Sequence, residues 1–147
     1  MSRWLKRRPA GEFRLFARAL VLLTLTRLAL HWMPLTRLKR RVRRAASADR
    51  RLPEGQRLPM LRVLRCTAAA ARFMPVSSTC LATAMVVQAL LQRHGYSALM
   101  RIGVRRPADG KFAAHAWLEY EGAVIVGGPA SVVNEYQVMP GLEHLIA

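Results

Sequence analysis

At Gly95 the hydrophobic rhythm of the chain changes, and this limits the fold more than any other feature. Before Gly95, apolar residues recur at helical spacing. After it come short runs of strand-forming residues separated by turn residues. Helices followed by strands predict an α+β domain rather than alternating α/β units. A length of 147 residues allows one domain with a modest core plus an appendage.

Four helical stretches are expected before the change. Residues 12–33 place Phe13, Phe16, Leu20 and Leu23 on one face, widened by Leu15, Leu22, Leu25 and Leu28, and Pro34 ends the helix. Leu35 to Ala48 is compatible with helix and carries Arg37, Lys39, Arg40, Arg41, Arg43 and Arg44. Asp49 to Arg57, with Pro53 and Gly55, reads as a linker. Leu58 to Phe73 forms a third helix, stopped by Pro75. Cys80 to Arg93 forms a fourth, with Ser78 or Thr79 as N-cap and Gly95 as the C′ residue.

Strands are expected over Tyr96 to Val104, Lys111 to Tyr120, Ala123 to Val126 and Val132 to Val138. Pro107 to Gly110 is read as a turn, Glu121-Gly122 as a two-residue hairpin loop, and Gly141 to Ala147 as a closing helical turn.

Charge divides the chain. Residues 1–57 hold 16 Lys+Arg against 3 Asp+Glu, a net of +13, while residues 58–147 hold 8 against 5, a net of +3. The expected organisation is a basic helical segment, 1–57, joined to a nearly balanced domain, 58–147. A basic front calls for an acidic partner: nucleic acid, an anionic membrane surface or an acidic peptide. The arginine run lacks interleaved aromatics and any zinc-finger pattern, which counts against nucleic acid. The apolar run Ala19 to Leu25, flanked by Arg18 and Arg27, is too short to span a bilayer and lacks a cleavage site. Contact with a membrane surface stays open, through residues 12–33 and their basic successor.

The two cysteines, Cys66 and Cys80, match no zinc or redox spacing and do not make a disulfide scaffold, so a reducing, cytoplasmic setting is expected. No cofactor and no metal site is expected, since no pair of histidines has metal-ligand spacing.

Cys80 stands at a predicted helix start, where partial positive charge and free amides favour a thiolate, the nucleophilic form. Cys66 lies mid-helix and reads as core. His115 lies in a predicted strand, sharing a face with Trp117 and Glu119, while Ala114, Ala116 and Leu118 face the other way. His31 and His94 fall on helices and read as structural, and His144 has no partner. A cysteine–histidine pair usually has a third group that orients the imidazole. With Glu121-Gly122 as the loop, Tyr120 pairs with Ala123, Leu118 with Ile125, and His115 stands opposite Gly128. No carboxylate occurs there. Glu119 lies two pleats away, and Asn134 and Glu135 are the other candidates for that role.

The strings Cys80-Leu81-Ala82-Thr83-Ala84, Leu90 to Ala98, Arg101-Ile102-Gly103-Val104 and Ala114 to Glu119 resemble, in order and spacing, the leader peptidases of lasso-peptide biosynthesis. These belong to the transglutaminase-like superfamily. The resemblance covers about residues 58–128 and implies a papain/transglutaminase-like core, with a Cys-bearing helix packed on a small antiparallel sheet bearing the His. It implies cysteine-dependent removal of the leader from a ribosomally made precursor peptide, with Cys80 as nucleophile and His115 as general base. It also implies an aspartate about a dozen residues after the histidine, where this chain has Gly127, so the role falls to another residue, to a water or to a backbone carbonyl, or the protein is weak or inactive as a peptidase. The partners implied are the precursor leader, a separate leader-recognition protein and an ATP-consuming, macrolactam-forming cyclase. The alternative reading is a catalytically weak or inactive relative that binds a peptide.

Overall fold

The computed structural model describes residues 10–74, 79–106, 110 and 112–139. The order is α1 (Ala10–Ala29), α2 (Leu35–Ala46), a 3-10 turn (Glu54–Gln56), α3 (Met60–Arg72), α4 (Cys80–Arg93), β1 (Leu99–Arg105), β2 (Ala113–Tyr120), β3 (Ala123–Val126), α5 (Ala130–Val133) and β4 (Gln137–Val138). The change of rhythm at Gly95 is therefore the border between a helical layer and a sheet. The architecture is the expected α+β: helices packed on a four-stranded antiparallel sheet of order β3-β2-β1-β4.

α4 is the centre of the fold. It packs against α1, α2, α3, β1 and β2. Met85, Val86, Val87, Leu90 and Leu91 are buried on it, because a helix with neighbours on several sides must be apolar on several sides. The core adds Leu15, Ala19, Leu22 and Leu23 of α1, Leu38, Val42 and Ala46 of α2, and Val63, Cys66 and Ala70 of α3. Met100, Ala116 and Leu118 supply the sheet side. Each buried Leu contributes roughly 1.5–3 kcal/mol, so α1 is anchored by one face. The expected boundary at 57/58 is a step in charge, and the apolar packing continues across it.

Thr79 and Gly95 act as read, the first as the N-cap residue of α4 and the second with φ +93° just past its C-cap, whereas Pro34 does not end α1, which stops at Ala29, and is instead the N-cap residue of α2. The Glu121-Gly122 loop has positive φ at both positions (50° and 79°), as a two-residue hairpin of type I′ requires. The turn read at Pro107 to Gly110 includes residues outside those described, and the closing turn at Gly141 to Ala147 lies wholly outside them.

Two expectations are corrected. Val132 to Val138 is not one strand. The Pro129 carbonyl accepts from the amides of Val132 (3.0 Å) and Val133 (3.3 Å), closing the helical turn α5 and leaving Gln137–Val138 as β4, paired with β1. The hairpin register also shifts. Tyr120 does pair with Ala123 and Glu119 with Val124, but Leu118 pairs with Val126, so Ile125 is the extra residue of a β-bulge. The ladder ends at Leu118–Val126, so the expected His115–Gly128 pair is not part of it, and the Gly127 backbone lies against Trp117.

Candidate active site

Cys80 is placed by its cap. Thr79 is extended (φ −76°, ψ 149°), and its Oγ1 accepts the Ala82 amide at 3.3 Å. The Thr79 carbonyl accepts the Thr83 amide at 3.1 Å. One residue thus satisfies two first-turn donors and fixes the first helical position, which the cysteine holds. Cys80 is half-buried at the rim of the core, while Cys66 is fully buried inside it.

His115 is placed by the sheet. It sits on β2 opposite Gly103 of β1, and its Nε2 lies 2.6 Å from the carbonyl oxygen of Gly127. A carbonyl only accepts, so Nε2 carries the proton and Nδ1 keeps its lone pair when the ring is neutral. The ring stacks on Trp117 (6.2 Å between centroids, 21° between planes) and meets Tyr136 (5.2 Å, 37°). Trp117 is itself held, since its Nε1 donates to Glu119 Oε1 at 2.8 Å while Arg101 Nε donates to Oε2 at 3.3 Å. Glu119 therefore braces the tryptophan behind His115 rather than binding the imidazole.

Among the described residues, the group that bonds His115 is a main-chain carbonyl and not a carboxylate. Gly127 has φ +115°, and a Cβ there would lie 2.4 Å from Trp117 Cβ and 2.9 Å from Trp117 Cα. No side chain fits, and the close approach that excludes one brings the main-chain oxygen to the ring. The other candidates for the orienting role are occupied or turned away. Glu135 pairs with Arg105, whose guanidinium lies 5.1 Å from the Tyr136 ring centroid, and Asn134 is exposed. The backbone carbonyl that the sequence reading allowed for the orienting role is that of Gly127, while Tyr136 was missed, since its place depends on α5 folding the chain back.

β1 begins beside the C-terminal half of α4, where Gln88 Nε2 donates to Ala98 O at 3.0 Å, and its residue Gly103 pairs with His115 of β2. Strand alternation puts Ala116 and Leu118 in the core that α4 fills, and His115 and Trp117 on the opposite face of β2. Among the described residues, the hydrogen bond His115 makes is to Gly127 and not to Cys80.

The other described histidines, His94 and His31, make structural contacts, and His144 lies outside the described residues. Leu58 N donates to His94 Nδ1 at 3.1 Å, and burial, helped by the Arg93 charge, lowers the His94 pKa. His31 Nε2 lies 3.1 Å from an Arg27 nitrogen on an exposed helix end. Among the described residues, no group of three or more His, Cys, Asp or Glu is assembled to hold a metal ion.

A model of the transglutaminase-like superfamily matches residues 19–140, which takes in most of α1, all of α2 to α4 and the whole sheet. No curated protein and no solved structure matches the chain. The superfamily is generally one of cysteine peptidases and acyltransferases, and this chain has a cysteine at a helix start and a histidine on the adjoining sheet. By its sequence over that span and by its fold, this chain belongs to the transglutaminase-like superfamily.

Proposed function

We propose that this chain is a cysteine peptidase that removes the leader from a ribosomally made precursor of the lasso-peptide type. The superfamily match and the order of motifs around Cys80 and His115 support this reading. The observation that carries it is the orientation of His115: a main-chain carbonyl holds one ring nitrogen and leaves Nδ1 as a base.

In the reaction, the Cys80 thiol gives its proton to His115 Nδ1, and the sulfur attacks the carbonyl carbon at the leader–core junction. The amides of Cys80 and Leu81, which precede the two that Thr79 engages, hold the oxyanion. Collapse of the tetrahedral adduct breaks the C–N bond, and the imidazolium proton leaves with the core's new amine. A water, deprotonated by His115, then hydrolyses the thioester, freeing the leader carboxylate and the Cys80 thiol. This step requires Cys80 and His115 to come within hydrogen-bond reach in the substrate complex. A separate leader-recognition protein delivers the precursor, and an ATP-consuming cyclase uses the freed core.

The test is to mix precursor, leader-recognition protein and this chain and to follow the products by mass spectrometry. Leader and core should appear with the native chain, and neither with Cys80→Ala. Full cleavage by Cys80→Ala excludes Cys80 as nucleophile.

A second reading is favoured by one observation: His115 is bonded to an uncharged carbonyl and not to Cys80. On that reading the chain binds a peptide without cutting it. A thioester to Cys80 in the quenched mixture separates the two readings.

A further inference from the structure

α1 is apolar on two sides, and the core covers only one. Leu15, Ala19, Leu22 and Leu23 face inward at 0–6% exposure. On the opposite face Val21 (55%), Leu25 (58%) and Leu28 (55%) follow one another at spacings of four and three residues, and exposed Trp32 (90%) stands in the turn that follows the helix. A continuous stripe of large apolar side chains in water calls for a partner, unlike single exposed leucines.

α2 continues this face with charge. Leu38, Val42 and Ala46 are buried, and the opposite side presents Arg37, Arg40, Arg41 and Arg44, all exposed. α1 packs on α3 and α4 and α2 packs on α4, and the exposed faces of the two helices follow one another through the turn at 30–34. The chain has no Asp or Glu between Glu12 and Asp49. The partner must therefore accept leucine and tryptophan beside a run of arginines and offer many negative charges without needing a matching acid on this surface.

We infer that the outer faces of α1 and α2 form a docking surface for an anionic lipid bilayer. The apolar stripe enters the headgroup–acyl boundary, Trp32 sits at the interface, and the α2 arginines lie among lipid phosphates. No helix among the described residues is long and apolar enough to cross a membrane, so α1 lies in the plane of the surface. The chemistry and positions of these side chains argue for lipid; a protein partner is the alternative outcome of the test.

The experiment is vesicle flotation of the full chain. One set of vesicles is phosphatidylcholine alone, and the other is phosphatidylcholine mixed with phosphatidylglycerol. The expected result is flotation with the mixed vesicles only, weakened by added salt. Arg40→Gln and Arg41→Gln should each lower partitioning roughly fivefold, in line with about 1 kcal/mol per basic residue near an anionic surface. Leu25→Glu with Leu28→Glu should abolish it. All these positions are exposed, and circular dichroism checks that each variant is folded. Equal flotation with both vesicle types, no flotation, or flotation unaffected by the variants overturns the proposal. So does loss of binding to the leader-recognition protein in these variants when the native chain does not float, which would assign the face to that protein.

Discussion

The Nε2–H of His115 donates to the carbonyl oxygen of Gly127 across 2.6 Å, and the backbone at Gly127 has no room for a side chain. The superfamily resemblance expects a carboxylate in that region. Here the bulge at Ile125 turns the main chain so that its own oxygen takes the orienting place, without adding charge. An alanine at 127 would carry a left-handed φ, costing about 1–2 kcal/mol, and would press on Trp117. Gly127→Ala should therefore cut leader cleavage on the order of 100-fold while Cys80 stays reactive, as expected when a base loses its position. Cleavage rate and thiol labelling, measured on the same preparation, check this.

The two thiols should differ in access. Cys80 is half-buried at a helix start, while Cys66 is fully buried between helices. Iodoacetamide at neutral pH should label Cys80 alone in the native protein, and both after denaturation. Peptide mapping by mass spectrometry reads the two sites. Cys66→Ala should keep peptidase activity and cost about 1–3 kcal/mol in a denaturant titration.

His94 should make the fold sensitive to acid. Burial and the Arg93 charge hold its pKa below the ordinary 6.5, and its Nδ1 must stay unprotonated to accept from Leu58. As pH falls through 6.5 the unfolded chain takes up a proton that the folded chain resists. Stability is therefore lost from that point downward until the folded pKa is reached. His94→Asn keeps an acceptor and removes the titration, so its midpoint in urea should vary less between pH 7 and pH 5 than that of the native chain.

Lys39 should act at the other end of the scale. Burial, then the Arg43 charge, lowers its pKa to about 8 from 10.5. Between those values the unfolded chain binds the proton and the folded chain does not, so stability contributed at Lys39 rises with pH across that window. Lys39→Met should be the more stable protein at pH 7, and its advantage should shrink toward pH 10.5. Urea midpoints at the two pH values decide it.

What could be read from the sequence follows the local rules. Helix α4 begins at Cys80 and ends at Arg93 as read, because a capping hydroxyl and a C′ glycine mark its ends. Strand β3 and the Glu121-Gly122 loop have the predicted bounds for the same kind of reason. Cys66 and His94 are buried as structural residues, as their helical settings implied. What failed was non-local. Nothing between Leu118 and Val126 announces the extra residue at Ile125, because a bulge is settled by packing across strands. Val132-Val133 reads as strand on β-propensity, and Pro129 makes it a helical turn. The orienting oxygen could not be found among side chains because it belongs to the main chain. Tyr136 reaches His115 only because that turn brings it back.

The protonation of His115 is measured directly by nitrogen-15 NMR of histidine-labelled protein near neutral pH, with His115→Asn used to assign the signals. The neutral ring should show Nε2 bearing hydrogen and Nδ1 as the unprotonated nitrogen, and Gly127→Ala should blur that preference. A ring protonated at Nδ1, with Nε2 free, would contradict the Gly127 bond and with it the proposal that His115 Nδ1 is the base.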